Sequence, residues 1–169
     1  MKRVLNGDSP GLGKTLQSIT AIERAIATPC LVICPSALKV NWEREIRKFT
    51  NLRPLVLTDS VKSTFPYYIG DLNLYDVIIV NYESLRKYFV VTMGQKPYKL
   101  KNFVFQNVVS SLKSIIIDES ARVKDPSAQQ SKIVMGLCNN KEYILELTGT
   151  PVVNDPADIG TQIAILGRM

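Results

Sequence analysis

An α/β fold, a mostly parallel sheet with helices on both faces, is what this sequence predicts, and three observations predict it. Short β-branched runs alternate with helical patterns along the 169 residues. Several of those runs are continuously apolar rather than alternating, as in strands covered on both sides. The helical patterns follow strand runs directly, which makes right-handed βαβ units the economical connection. With 46% hydrophobic residues the chain can bury one sizeable core, and its length suits a single domain, residues 1–169.

The strand runs are RVLN at 3–6, CLVIC at 30–34, PLVLT at 54–58, DVIIV at 76–80, SIIID at 114–118 and YILELT at 143–148. In TLQSITAIERAI the residues Leu16, Ile19, Ile22 and Ile26 recur every three or four positions, as do Leu38, Trp42, Ile46 and Phe49 in ALKVNWEREIRKF. Each set predicts one buried helical stripe, with Trp42 a core residue rather than a base-stacking one. Residues 59–75 read as an irregular connection, and 89–102, which include TMGQKPYKLKN, as a basic insertion at a sheet edge. There is no internal repeat or low-complexity segment.

Three cysteines and no histidine exclude a Cys/His zinc cage and any Ser-His-Asp or Cys-His catalytic pair. Cys30 and Cys34 stand at even spacing within PCLVICP, so a strand points both thiols to one buried face. The odd cysteine count and lack of a signal peptide fit a reducing cytoplasm, nucleoid-associated if the chain is bacterial. No apolar run approaches transmembrane length. A net charge of +6 and a pI near 9.3 suit an acidic partner such as nucleic acid without demanding one.

The stretch GDSPGLGKTLQSIT at 7–20 carries the chemistry. It follows a strand and opens a helix, the context in which backbone N–H groups and a helix N-terminus converge on phosphate oxygens. GLGKT satisfies the end of the pattern GxxxxGK(S/T), but Asp8 occupies the position of the first glycine. Gly11 and Gly13 let the backbone approach a phosphate, Lys14 reaches the β/γ-phosphates of a nucleotide, and Thr15 supplies a hydroxyl to Mg²⁺. At the end of SIIIDES, Asp118 can bind Mg²⁺ through water and Glu119 can act as general base. ELTGTPVVNDP places Thr148 and Thr150 at another strand end, where ligands of open α/β sheets sit; a tight turn before a helix is the alternative.

These elements in this order resemble the first RecA-like lobe of the Swi/Snf-type ATPases in helicase superfamily two. DSPGLGKT stands where that family has an Asp-rich GLGKT loop, LVICPSALKVNWEREIRKF is similar to its second motif, and YDVIIVNYESLRK to the next. IIIDESARVKD is similar to its DEAH-like box and LTGTPVVNDPADI to its threonine-rich coupling motif. The DES triplet and NDPADI lean toward the branch of annealing helicases and phage or bacterial proteins. The resemblance implies a RecA-like P-loop fold and ATP-driven translocation along double-stranded DNA. It assigns ATP and Mg²⁺ binding to Asp8, Gly11, Gly13, Lys14 and Thr15, catalysis to Lys14, Asp118 and Glu119, and coupling to Thr148 and Thr150.

Ser36, Lys39, Asn81, Tyr82 and Thr150 resemble positions on the family's strand-tracking surface, where hydroxyls, amides and a lysine contact phosphates without reading sequence. For Ser36 and Asn81 a helix-capping role stands beside that one. Ala121 departs from the polar fourth residue of the DEAH-like box. The family's adenine-reading element normally precedes the phosphate loop, and its second RecA-like lobe supplies an arginine finger. Both lie outside the 169 residues, so a fragment or truncated product that binds ATP and hydrolyses it poorly is the expectation. A small P-loop phosphotransferase would need an acceptor site and an Arg-rich lid, which is not visible. A non-catalytic nucleic-acid-binding module would leave Lys14, Thr15, Asp118 and Glu119 without a purpose.

Overall fold

The computed structural model describes residues 2–8, 13–149 and 159–167. Its centre is a six-stranded, wholly parallel sheet in the order β1-β8-β7-β2-β4-β3. The strands are β1 (Arg3–Asn6), β2 (Cys30–Cys34), β3 (Pro54–Val56), β4 (Val77–Asn81), β7 (Ser114–Asp118) and β8 (Tyr143–Leu147). The predicted runs at 54–58, 76–80 and 143–148 thus shift or shorten by one or two residues. Of the four inner strands, β7, β2 and β4 are the continuously apolar ones, and they are buried along nearly their whole length.

Helices α1 (Lys14–Arg24) and α2 (Lys39–Phe49) cover one face, where Ile19, Ile22, Trp42 and Ile46 pack on Cys30, Val32, Cys34, Ile79 and Ile116. The other face carries α3 (Phe65–Ile69), α4 (Leu85–Phe89), α5 (Val108–Ser111), α6 (Gln129–Cys138) and α7 (Gly160–Ile165). Helices leaving the neighbouring strands β2 and β7 therefore depart to opposite faces. This arrangement opens a crevice at the carboxyl ends of an α/β sheet.

The predicted stripes are only partly buried. Ile19 and Ile22 are core, whereas Leu16 is 38% and Ile26 76% exposed. Helix α1 ends at Arg24, and Ile26 lies beyond it at φ 53°, a left-handed residue that turns the chain so that Ala27 is buried in its place. In α2, Trp42 and Ile46 are core; Phe49, the last residue of the helix, is exposed with the Lys48 ammonium 4.9 Å from its ring centroid.

Residues 59–75 contain a short 3₁₀ turn and α3, anchored by the buried Phe65, whose ring meets Tyr88 and Phe89 edge-on at 5.9 and 5.8 Å. The insertion is not a sheet-edge extension. It forms its own antiparallel pair, β5 (Val90–Thr92) with β6 (Val104–Phe105), laid over α6. Gly136 of α6 makes the packing possible, because a Cβ there would stand 2.4 Å from Phe105 Cζ.

Candidate active site

Strand register decides which loops meet. Asn6 is opposite Leu147, and Leu147 opposite Asp118, so β1, β8 and β7 end level with one another. After β1 the Asn6 carboxamide oxygen accepts the Asp8 main-chain N–H at 2.9 Å, while its nitrogen donates to the Gln17 side chain at 3.2 Å. Gly13 is left-handed at φ 73° and ψ 31°, a conformation that a Cβ penalises. Helix α1 starts at the next residue. Lys14 folds back and its Nζ donates to the Asp8 carbonyl at 2.6 Å. Thr15 is half-buried beside it; Gly11 lies outside the described residues.

Asp118 ends β7 with both carboxylate oxygens engaged. Oδ2 accepts the Trp42 indole N–H at 2.8 Å and Oδ1 accepts the Glu119 main-chain N–H at 2.9 Å. Burial raises its pKa above the ordinary carboxylate value, and the Trp42 and Glu119 donors and the Lys14 cation pull it back down. The matching registers of β1, β8 and β7 bring the loop and the strand end to one edge of the sheet. Glu119 is exposed and left-handed at φ 54° and ψ 50°, unusual for a residue with a side chain.

The ends of β2 and β4 form a second group on the same edge. Ser36 is exposed. Lys39 Nζ donates to the Asn81 carboxamide oxygen at 3.3 Å, and the Asn81 nitrogen donates to Glu83 at 2.9 Å. Neither the turn at Ser36–Leu38 nor the one at Tyr82–Ser84 has a side-chain cap, so capping does not occupy Ser36 or Asn81. Arg122 reaches over from the segment after β7, donating to Glu83 at 3.3 Å with its guanidinium 5.5 Å from the Tyr82 ring centroid.

Tyr82 corrects the expectation that placed it on a DNA-contacting surface. It is only 1% exposed, and its hydroxyl turns inward to donate to the Asp118 carbonyl at 2.5 Å, with the Glu119 carbonyl at 3.4 Å. The strand ends at Asn81, and the 3₁₀ turn that begins with Tyr82 swings the ring beneath β7 rather than outward. Thr148 is buried, with its main-chain N–H donating to the Asn6 carbonyl at 3.0 Å. Thr150 lies outside the described residues.

Three features escaped the sequence: the polar role of Trp42, the Glu83–Arg122 pair, and Glu146. The only available signal for Glu146 was an acid interrupting an apolar strand. Its carboxyl is fully buried, neither oxygen has a hydrogen-bond partner among the described residues, and burial pushes its pKa up to about 8.

The level ends of β1, β8 and β7 and the crevice of polar strand ends have the layout of a P-loop type α/β domain. Residues 4–168 match the SNF2-related domain, and the chain belongs to that family. It is 25% identical over 166 residues to a Caenorhabditis elegans homologue of SWI/SNF-related matrix-associated actin-dependent regulator of chromatin subfamily A-like protein 1. That alignment covers 97% of this chain and 21% of the relative. Against the ISWI chromatin-remodeling complex ATPase ISW2 of Saccharomyces cerevisiae it is 32% identical over 157 residues, covering 88% of this chain and 12% of the relative. The solved SWI2/SNF2 ATPase core of Sulfolobus solfataricus, determined in complex with dsDNA, superposes with a TM-score of 0.72 at 30% identity. That superposition covers 99% of this chain and 32% of the other. The chain thus spans a third or less of each of these proteins, and its RecA-like α/β fold is theirs.

Proposed function

We propose that this chain is the ATP-binding lobe of a SNF2-type ATPase that couples ATP hydrolysis to translocation along double-stranded DNA. The observation that carries the reading is the strand register that brings the residues after β1 and β7, Lys14 and the Asp118–Glu119 pair, to the edge that also holds Ser36, Lys39 and Asn81.

Gly13 and the first turn of α1 would present main-chain N–H groups to the phosphates, with Gly11 and Asp8 completing the loop. Lys14 would exchange its Asp8 carbonyl for the β/γ-phosphate oxygens, a change from a neutral to a charged acceptor. The donor set fits a hard cation: hydroxyl and carboxylate oxygens from Thr15 and Asp118, and among the described residues no cage of three or more acidic, Cys or His side chains. Such a site leaves room for water and phosphate oxygens, as Mg²⁺ requires. When bound, Mg²⁺ neutralises charge developing on the phosphates. Glu119, exposed beside Asp118, would accept the proton of the attacking water.

Ser36, Lys39, Asn81 and Thr150 would hold backbone phosphates, without sequence preference. Thr148 and Thr150 would link the two halves. A second RecA-like lobe would supply the transition-state arginine and the rest of the DNA track, so this lobe alone would hydrolyse ATP slowly. No described helix is long and apolar enough to cross a membrane, and all three cysteines are free and buried; we place the protein in a reducing, DNA-containing compartment.

Equilibrium binding of ATP with and without Mg²⁺ tests the reading directly. Micromolar binding that needs Mg²⁺ and is lost in Lys14→Ala is expected; binding indifferent to both would refute it. Duplex DNA should bind weakly, with affinity falling steeply as salt rises.

A further inference from the structure

Two buried aromatic side chains hold the Asp118–Glu119 pair, and each comes from the segment that follows one of the strands bearing the proposed DNA contacts. Trp42 stands in α2, one turn beyond Lys39, and Tyr82 directly follows Asn81. Both are 1% exposed, and phenylalanine would fill most of either volume. Their polar tips do what phenylalanine cannot: the indole N–H fixes the Asp118 side chain, and the phenol O–H holds the Asp118 carbonyl. That hydroxyl is also 3.4 Å from the Glu119 carbonyl. It therefore grips the main chain on both sides of a left-handed residue, a conformation that disfavours a non-glycine residue and persists only when its surroundings impose it.

We infer that Trp42 and Tyr82 are positioning residues for the carboxylate pair. Trp42 sets the rotamer in which Asp118 meets the cation, and Tyr82 maintains the turn that aims Glu119 at water. Displacement of the segment after β2 or after β4 then moves the carboxylates through one hydrogen bond each, a direct physical link between the DNA side and the nucleotide side. The inference rests on the ATPase reading above.

Trp42 is the only tryptophan in the chain, so its fluorescence reports on the link without any turnover. The 169-residue chain is titrated with a non-hydrolysable ATP analogue, with and without Mg²⁺, while binding is followed independently by calorimetry. Trp42 emission should change in step with Mg²⁺-dependent binding. In Tyr82→Phe and Trp42→Phe the Mg²⁺ concentration for half-maximal nucleotide binding should rise about threefold to tenfold, the scale of one hydrogen bond to a charged group. At saturating Mg²⁺ both variants should still bind the nucleotide. Tyr88→Phe, which removes a hydroxyl bonded to Asp59, is the control and should leave the Mg²⁺ dependence as it is. Should Trp42→Phe not fold, Tyr82→Phe and the wild-type emission still decide. Binding that leaves Trp42 emission unmoved, or a wild-type Mg²⁺ dependence in Tyr82→Phe, overturns the positioning roles alone. Absence of nucleotide binding by the wild type overturns the ATPase reading and the inference with it.

Discussion

Asp118 and Glu146 sit on adjacent strands near the same sheet edge, on opposite faces, and meet very different surroundings. Asp118 faces α1 and α2 at the open end of the crevice, with a donor on each oxygen and a lysine nearby. Glu146 is opposite Ile117 and Leu5, inside the core covered by α4, α6 and α7, with no donor for either oxygen among the described residues. Burial opposes the charged form of both. Only Asp118 has the hydrogen bonds and nearby cation that offset it. Donors as well as depth set how far burial raises each carboxyl's pKa.

The largest effect should come from the anionic side. In a polypeptide that joins this chain to a second RecA-like lobe, Glu119→Gln should keep ATP binding while turnover falls by a factor on the order of a hundred or more. Lys14→Ala should lower nucleotide affinity and turnover together, since it removes the cation opposite the β/γ-phosphates. Steady-state hydrolysis and equilibrium binding read both. Equal loss of binding in the two variants would break the assignment.

Stability separates the two acids next. Asp118→Ala strands the Trp42 indole and Glu119 N–H donors, so it should destabilise the fold by about 1–3 kcal/mol. Glu146→Leu removes a buried group without hydrogen-bond partners among the described residues and should stabilise it by about as much at pH 8. Opposite shifts of melting temperature, on the order of 2–4 °C per kcal/mol for a domain of this size, are the expected result. Shifts of one sign would erase the contrast.

The pH dependence sharpens it further. Glu146 carries a folded pKa of about 8 against an ordinary 4.5, so between those values the folded state holds a proton that the unfolded chain releases. Stability from this group is therefore complete below about pH 4.5, falls as pH rises toward 8, and levels off above. Denaturant melts of wild type and Glu146→Leu across pH 5–9 should diverge with rising pH. Parallel curves would show that Glu146 has a partner in solution.

An effect on stability alone lies away from both acids. Gly136→Ala forces Phe105 aside, and should cost about 1–3 kcal/mol through overpacking while nucleotide binding stays intact.

Much of this was legible from residue order. Continuous β-branched runs marked the inner strands because both faces of those strands are covered, and GLGKT after a strand marked the start of α1, where a left-handed glycine precedes the first helical residue. Other features were hidden by geometry that spacing does not express. Ile26 fits the helical period of α1 but follows a turn that ends the helix early. Tyr82 adjoins a surface asparagine, yet the 3₁₀ turn carries it inward. The insertion shows its charge in sequence, whereas its seat on α6 depends on one glycine far along the chain.

What the sequence determined alone was therefore the α/β class, the strands of the central sheet and the start of α1, because periodicity and glycine placement act over a few residues. Only the tertiary structure decided that Glu146 has no donor among the described residues, and that Trp42 and Tyr82 reach Asp118 and Glu119. Those are contacts across 76, 36 and 37 residues of chain, set by strand order and by which face each side chain takes. A hydrogen bond between such distant residues exists only after β2, β4 and β7 have paired and their ends stand side by side.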